Sequence, residues 1–167
     1  MGNLKLKDCL IEDQNTSDLQ SYKGPEGEIP VQDILHISDE ALDKYYEVSC
    51  KILHDKRYKD AVCAFTFLCF LTPLYSSFWL GLGISEQLQE HYDEAADAYL
   101  KAIETSPDDP VPYANLAQCF LALNEKKAAE LTIEKTLELC ADHLNYTSIK
   151  EKVLALQDRA GLKKKSS

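Results

Sequence analysis

Positive charge is scarce in this chain of 167 residues, which has 18 lysines and arginines against 28 aspartates and glutamates. Its formal net charge is −10. Binding to nucleic acid requires a basic surface that meets the phosphates, so this composition argues against that class of partner. The deficit is deepest over residues 76–109, where Lys101 is the one basic residue among eight acidic ones. We interpret this stretch either as a solvated outer face or as an acidic patch that selects basic partners.

The chain also lacks the residue patterns that support catalysis or metal binding. Its six cysteines form no C-x-x-C pair, and no histidine lies at the spacing of a zinc ligand. Neither a nucleophile–base pair nor a glycine-rich phosphate loop is visible. We therefore expect a protein that is not an enzyme and that binds no metal or cofactor. The cysteines are expected to be reduced thiols in a cytoplasmic protein.

Long hydrophobic runs are missing as well. The longest apolar run, residues 61–71, is interrupted by Thr66 and is too short to cross a bilayer. The N-terminal sequence has no apolar signal-peptide core, and Leu6 stands where a myristoylation signal requires Ser or Thr. These absences predict no membrane insertion.

What the chain does contain is a repeat of 34 residues. Three aromatic residues, Tyr45, Trp79 and Tyr113, lie at this interval. Further sets recur with the same spacing: Val48, Leu82 and Leu116; Ser49, Gly83 and Ala117; Ala61, Ala95 and Ala129; Phe65, Tyr99 and Ile133. A period of about 34 residues is typical of the tetratricopeptide repeat (TPR), a hairpin of two helices. We interpret the small residues as points of close helix approach and the three aromatic residues as wedges between successive hairpins.

The repeat predicts an all-α fold, with three tandem TPR helical hairpins in a right-handed superhelix. The helices are predicted over 39–54 and 58–71, 76–89 and 92–105, and 110–123 and 126–140. Ser38 and Asp109 are the expected N-caps, the latter followed by Pro110 at the first helical position.

The chain divides into an arm, a repeat domain and a tail. Residues 1–37 are expected to form a flexible, mostly irregular N-terminal arm, with a short helix near 31–36 as an option. The TPR domain is predicted over 38–160, with repeats at about 42–75, 76–109 and 110–143. A C-terminal capping helix at about 147–160, opened by a capping box of Ser148 and Glu151, covers the last apolar face. Residues 161–167 form a basic tail.

The first helix of each hairpin lines the concave face of such a superhelix, so its residues outside the packing set point into a groove. This face is mostly apolar, which indicates an extended peptide ligand with hydrophobic anchors. The groove residues are Tyr46, Cys50, Leu53, Leu80, Ile84, Gln87, Leu88, Ala114, Gln118 and Leu121. Closure of the groove by the arm or by the last helix is the alternative.

The helix predicted over 58–71 is apolar on every side. Ala61, Phe65 and Leu68 are assigned to packing within the stack. The remaining apolar residues point elsewhere: Val62, Phe67, Cys69, Phe70 and Leu71. Such a helix is either buried on all sides or part of an interface with a second copy or a client, and both interpretations stay open.

Residues 41–121 resemble the class II chaperones of bacterial type III secretion, the translocator chaperones of the SycD/LcrH type. The resemblance is carried by Leu42-x-x-x-Tyr46, Tyr58-x-x-Ala61, Phe65-x-x-Leu68-Cys69, Phe78-x-Leu80-Gly81-Leu82-Gly83, Tyr92-x-x-Ala95 and Ala117-x-Cys119-x-Leu121. It implies a bacterial cytoplasmic chaperone without ATPase activity. Such a chaperone keeps a secreted client, a translocator or a gatekeeper-type regulator, soluble and competent for secretion.

The resemblance also implies how the client binds. An extended segment of the P-x-L-x-x-P kind would lie in the groove, with Tyr46 and Tyr58 as groove tyrosines. Cys50 and Leu53 stand where the family often has aromatic residues, which implies a wider, less aromatic pocket. A homodimer through the N-terminal arm is a further expectation.

A general TPR scaffold or adaptor that binds a partner peptide outside secretion is the alternative function. In its carboxylate-clamp form, such an adaptor needs Lys, Arg and Asn on the inner face to bind a C-terminal carboxylate. At the corresponding positions this chain has residues such as Tyr46, Ile84 and Gln118.

Overall fold

The structure, a computed structural model, describes residues 30–141 and 144–162. Over these residues the protein is all-helical, without strands. The elements are α1 (Val31–Ile34), α2 (Asp39–His54), α3 (Tyr58–Leu71), α4 (Ser76–Gln87), α5 (Tyr92–Thr105), α6 (Pro110–Ala122), α7 (Lys126–Leu139), a 3₁₀ turn (Leu144–Tyr146) and α8 (Thr147–Arg159). The helix bounds confirm the three predicted hairpins to within two residues. Most of the predicted arm and of the basic tail lies outside the described residues.

The predicted helix starts are confirmed at α2 and α6. The Ser38 side chain accepts a hydrogen bond from the amide of Ala41 at 3.3 Å, and Asp109 accepts one from Val111 at 2.9 Å. The capping box predicted at Ser148 is wrong. The 3₁₀ turn leads directly into α8, so the helix starts at Thr147 and Ser148 already lies inside the first turn.

Each hairpin turns through a residue in the left-handed backbone conformation. Lys56, Glu90 and Asn124 have φ angles of 60°, 66° and 62° and lie 34 residues apart. After each of them, the next amide bonds to a carbonyl five residues earlier, as Arg57 does to Ile52 at 3.2 Å. All three hairpins therefore close their first helix with the same C-terminal motif. The repeat extends to backbone conformation even where the side chains share nothing.

Glycine gives α4 its close contacts on both sides. A Cβ atom at Gly81 would overlap the ring of Phe65 on α3, and one at Gly83 would lie 2.6 Å from the ring of Tyr99 on α5. Both rings are fully buried. The predicted close approach at Gly83 is thus confirmed within the second hairpin, and Gly81 adds a second approach between hairpins.

Two clusters of buried side chains form the interior. The first joins the first two hairpins around Phe65 and Tyr99, and the second joins the third hairpin and α8 around Ile133 and Val153. Leu80 of α4 packs against both clusters and links them. Helix α8 covers an apolar side of α6 and α7 that would otherwise face water, which is the role of a terminal helix in a repeat array.

The three aromatic residues that reveal the period meet the wedge prediction only in part: Trp79 packs against the first core cluster, whereas Tyr45 is largely exposed. Tyr45 is 45% exposed, and Trp79 and Tyr113 are half-buried. The indole N–H of Trp79 donates to the carbonyl of Pro73 at 2.9 Å, and the hydroxyl of Tyr113 donates to the carbonyl of Pro107 at 3.1 Å. Because an indole or phenol tip needs a polar partner, these rings are only half-buried, and each ties its helix to the turn before it.

Helix α3 divides its apolar residues between the core and the surface. Cys69 and Leu71 are buried, whereas Phe67 and Phe70 are 47% and 64% exposed. The Phe67 ring meets Tyr45 edge-on, with 6.0 Å between ring centroids. Burial between hairpins therefore accounts for one half of the apolar run, and the interface interpretation remains for the exposed phenylalanines.

Candidate functional site on the inner helices

The first helices of the three hairpins lie side by side, since α2 contacts α4 and α4 contacts α6. We call the surface that α2, α4 and α6 share the inner face. Most of the predicted groove residues on these helices are half-buried: Tyr46, Cys50, Leu80, Gln87, Gln118 and Leu121. They form a row across all three hairpins, which a single extended ligand could contact.

Three predicted groove residues are more deeply buried. Ile84 and Ala114 keep 5% and 8% of their surface exposed, and Leu53 keeps none. Leu53 belongs to the first core cluster, because the last turn of α2 directs this side chain inward. In this conformation it supports the inner face from below and offers a ligand no surface.

Tyr58 lies apart from the other predicted groove residues. It is the first residue of α3 and lines a depression between the turns of the first two hairpins, together with Leu88, Gln89 and His91. The structure therefore places Tyr58 beyond the end of the inner face, where α2 and α4 stop.

An aromatic cluster surrounds Tyr46 at the first-hairpin end of the inner face. Its ring lies 6.1 Å from Phe65 and 5.5 Å from Phe78, and Tyr75 lies 4.8 Å from Phe78. Sequence reasoning did not assign Phe78 or Tyr75 to the site. The signal that could have found Phe78 is its place at the start of the run Phe78-x-Leu80-Gly81-Leu82-Gly83, which carries the resemblance to the translocator chaperones.

The Tyr46 phenol and the Cys50 thiol are both uncharged near neutral pH. Burial, followed by the neighbouring Cys50 thiol, raises the pKa of the Tyr46 phenol well above its usual range, although a hydrogen bond with Ser77 acts in the opposite direction. Burial likewise raises the pKa of the Cys50 thiol. The phenol and the thiol therefore suit an apolar side chain better than a charged one. Acidic side chains lie close by, since Glu47 acts on the Cys50 thiol, and burial followed by Asp39 and Asp43 raises the pKa of the Tyr75 phenol.

Amide side chains form the opposite, polar end of the inner face. The hydroxyl of Tyr99 donates to Gln87 Oε1 at 2.6 Å, and Gln87 Nε2 lies 3.5 Å from Gln118 Oε1. Sequence reasoning assigned Tyr99 to packing alone. The signal for a second role is its hydroxyl, because the matching positions in the other repeats hold Phe65 and Ile133.

Four of the eight acidic residues of the second repeat lie on its second helix. Asp93, Glu94 and Asp97 are exposed, whereas Ala95 and Tyr99 on the opposite side of α5 are buried. This distribution favours the interpretation as a solvated outer face.

Residues 30–141 and 144–162 hold no group of three histidine, cysteine or acidic side chains placed to bind a metal ion. None of the helices in those ranges has the length and apolar character needed to span a membrane.

The hairpins and their common inner face define a class of protein, the TPR helical-repeat proteins. The tetratricopeptide repeat family TPR_19 matches residues 88–153. Low calcium response locus protein H of Yersinia pestis is 28% identical over 156 residues, which cover 90% of this chain and 93% of that protein.

Solved structures agree with this match. The CopN-Scc3 complex contains a chain with 29% identity and a TM-score of 0.76, and the alignment covers 84% of both chains. The type III secretion chaperone SycD of Yersinia enterocolitica, in complex with a peptide of the translocator YopD, has 26% identity and a TM-score of 0.72. That alignment covers 75% of this chain and 95% of SycD. The chain is a homologue of the LcrH/SycD-type translocator chaperones, and its structural neighbours are class II chaperones of type III secretion.

Proposed function

We propose that this protein is a non-enzymatic chaperone of type III secretion that acts in the bacterial cytoplasm. It holds an extended segment of a secreted client on its inner face and keeps the client soluble and competent for secretion. The observation that carries the proposal is the half-buried row from Tyr46 through Leu80 to Leu121, which crosses all three hairpins.

The chemistry of the inner face supports a largely apolar, extended ligand. This face offers aromatic rings around Tyr46 on α2, the side chain of Leu80 on α4, and the amides of Gln87 and Gln118 towards the C-terminal ends of α4 and α6. SycD, which shares this fold, has been solved with a peptide of the translocator YopD. A segment of the P-x-L-x-x-P kind, with apolar anchors separated by short spacers, would fit such a row.

The face is less suited to a C-terminal carboxylate. A clamp of that kind relies on lysine or arginine at the bottom of the groove. Tyr46, Leu80 and Gln118 occupy this part of the inner face instead. The adaptor outside secretion therefore ranks second among the functions considered.

Leucines on the inner and outer helices provide a matched test. Leu80→Gln with Leu121→Gln places two amides on the inner face, whereas Leu100→Gln with Leu131→Gln makes the same change at leucines that are 43% and 69% exposed on α5 and α7. Each variant is co-expressed with candidate secreted proteins of the source bacterium, and the client that co-purifies is quantified. Circular dichroism of each variant verifies its helical content.

We expect the inner pair to lose most of the client and the outer pair to retain it. The loss follows because two half-buried leucines, which bury further apolar surface against the client, are replaced by amides that lose their water on binding. Equal recovery of client by the inner pair and the wild type would contradict the assignment of the inner face. Capture of a folded protein that is not secreted would favour the adaptor instead.

A homodimer through the N-terminal arm remains a proposal, since residues 1–29 lie outside the described ranges. Ile34 and Leu35, at the start of the described chain, are 63% and 57% exposed and would support an interface there. Mass measurement in solution, with and without residues 1–30, tests it. A mass that does not change on truncation would exclude a dimer built by the arm.

A further inference from the structure

The polar end of the inner face has a fixed arrangement of donor and acceptor. Tyr99 has no exposed surface, and its hydroxyl lies 2.6 Å from Gln87 Oε1. That separation is typical of an O–H···O bond and is shorter than an N–H···O bond, so the oxygen of Gln87 is the atom that faces Tyr99. The NH₂ group of Gln87 is therefore turned away from the core.

The other bonds of these amides are weak. Gln87 Nε2 reaches Gln118 Oε1 at 3.5 Å, and Gln118 Nε2 reaches the carbonyl of Ala114 at 3.5 Å. Both distances are at the outer limit of a hydrogen bond, and each NH₂ group carries two N–H donors. Within residues 30–141 and 144–162, the two amides thus retain donor and acceptor capacity that a ligand could use at little cost.

A third amide on the same side of α6 is also incompletely paired. Asn115 lies three residues before Gln118, which places both on one side of the helix. It is 4% exposed, and its Nδ2 atom has no hydrogen-bond partner among the described residues. A buried donor without a protein partner adds to the polar character of this part of α6.

We propose that Gln87 and Gln118 form an amide pair that binds the backbone of the extended client segment, and that Tyr99 is its positioning residue. The inference rests on the proposed function and deepens it. The NH₂ of Gln87 donates to a client carbonyl, and Oε1 of Gln118 accepts a client N–H.

The amide pair would make a different contribution from the apolar row. The side chains at Tyr46 and Leu80 select apolar anchors, whereas the amide pair binds main-chain atoms that every residue carries. It therefore sets the register of the segment without reading its side chains. Proline is excluded at the client position whose N–H Gln118 Oε1 accepts, because proline has no backbone N–H.

The test uses 12-residue peptides selected against the wild-type protein from a display library with P-x-L-x-x-P at its centre. Affinity for one selected peptide is measured by fluorescence polarisation with the wild type, Gln118→Leu and Gln87→Glu. Gln87→Glu keeps an oxygen towards Tyr99 but replaces the outward NH₂ with a second oxygen. Gln89→Glu is the control, since it adds the same charge beyond the end of α4, where the Gln89 amide bonds to Ser85.

Gln118→Leu is expected to weaken binding about 10-fold, the effect of one lost hydrogen bond that leaves its partner unpaired. Gln87→Glu is expected to weaken it further, because the new oxygen repels the client carbonyl, while Gln89→Glu stays within about two-fold of the wild type. Equal losses in Gln87→Glu and Gln89→Glu would mean that only charge acts and would overturn the proposal.

A second measurement separates contact from a structural effect. Backbone esters are placed one at a time along the peptide, so that each removes a single N–H. One position is expected to weaken wild-type binding about 10-fold and to have no further effect with Gln118→Leu. Additive losses at every position would overturn the amide pair.

Tyr99→Phe tests the positioning role, because it removes the hydroxyl and leaves the ring. We expect Tyr99→Phe to weaken binding of the selected peptide. In the Tyr99→Phe background, Gln87→Glu should reduce the affinity by a smaller factor than it does in the wild type. Unchanged affinity in Tyr99→Phe would contradict that role.

The proposed function and the amide pair fail in different ways. If the library yields no peptide, or if Leu80→Gln with Leu121→Gln leaves binding intact, the inner face is not the site and both proposals fall. If that apolar pair abolishes binding while Gln118→Leu and Gln87→Glu bind like the wild type, the amide pair alone is refuted.

Discussion

Gly81→Ala is expected to destabilise the protein even though alanine is the better helix former. At an exposed helix position, the change would raise the free energy of unfolding by about 1 kcal/mol. Here the new methyl group would overlap three atoms of the Phe65 ring, Cδ1, Cε1 and Cζ, and that ring has 0% exposure. Overpacking a closed core costs about 1–3 kcal/mol, and so severe an overlap belongs at the upper end. The expected net loss is therefore about 2 kcal/mol.

Urea unfolding measures this loss, followed both by the fluorescence of Trp79, the single tryptophan, and by circular dichroism. Phe65→Leu supplies the compensating change, because leucine lacks the outer ring atoms that the methyl group would meet. On its own, Phe65→Leu is expected to cost about 1–2 kcal/mol through the space it leaves. The loss of stability in the double variant should be smaller than the sum of the two single losses by about 1 kcal/mol or more.

Two results would refute this reasoning. A rise of about 1 kcal/mol in the free energy of unfolding of Gly81→Ala would show that helix propensity alone governs stability at this position. Strict additivity in the double variant would show that Gly81 and Phe65 are not in close contact. An unchanged m-value in all variants is needed for either comparison, because a change would mean that the denatured state had also altered.

Three further predictions concern the turns, the thiols and the aromatic ties. Glu90→Gly is expected to raise the free energy of unfolding by about 0.5–1 kcal/mol, because glycine adopts a positive φ without strain. Glu90→Ala is expected to give no such gain, and thermal and urea unfolding compare the stability of the two variants. Iodoacetamide at pH 8 is expected to alkylate exposed Cys63 before Cys69, because burial blocks access to the Cys69 thiol and raises its pKa to about 12. Mass spectrometry of the folded protein compares the two rates, and equal rates would contradict the prediction. Trp79→Phe removes the hydrogen bond to the Pro73 carbonyl and is expected to lower the free energy of unfolding by about 0.5–1.5 kcal/mol. Urea unfolding followed by circular dichroism measures the change, and a gain in stability would show that this hydrogen bond contributes nothing.

The 34-residue spacing determined the helical hairpins, because each repeat places the same residue types against the same neighbours. Small residues such as Gly83 and Ala95 mark where two helices touch, and Pro110 after Asp109 marks a helix start. These signals are local or strictly periodic, and so the bounds of α2, α3 and α5 agree with those predicted. The resemblance to translocator chaperones could be identified for the same reason, since its shared runs follow the repeat.

Sequence alone did not determine which side chains reach the inner face. Leu53 and Cys50 occupy neighbouring turns of α2, yet only Leu53 is fully buried. The burial of a side chain depends on the helices packed around it as well as on its position around its own helix. Tyr45 matched the repeat and was expected to pack between hairpins, but it meets the edge of the exposed Phe67 ring and is itself 45% exposed.

Sequence determined the class of protein, the order of its helices and the apolar character of the face they share. Tertiary structure decided the polar detail: the Tyr99 hydroxyl meets Gln87 across the second hairpin, and Gln87 meets Gln118 across two hairpins. Residues 12 and 31 positions apart share no local signal. Their contact depends on how the hairpins stack, because a hydrogen bond is set within a few tenths of an ångström, whereas a periodic pattern specifies only which side of a helix is buried.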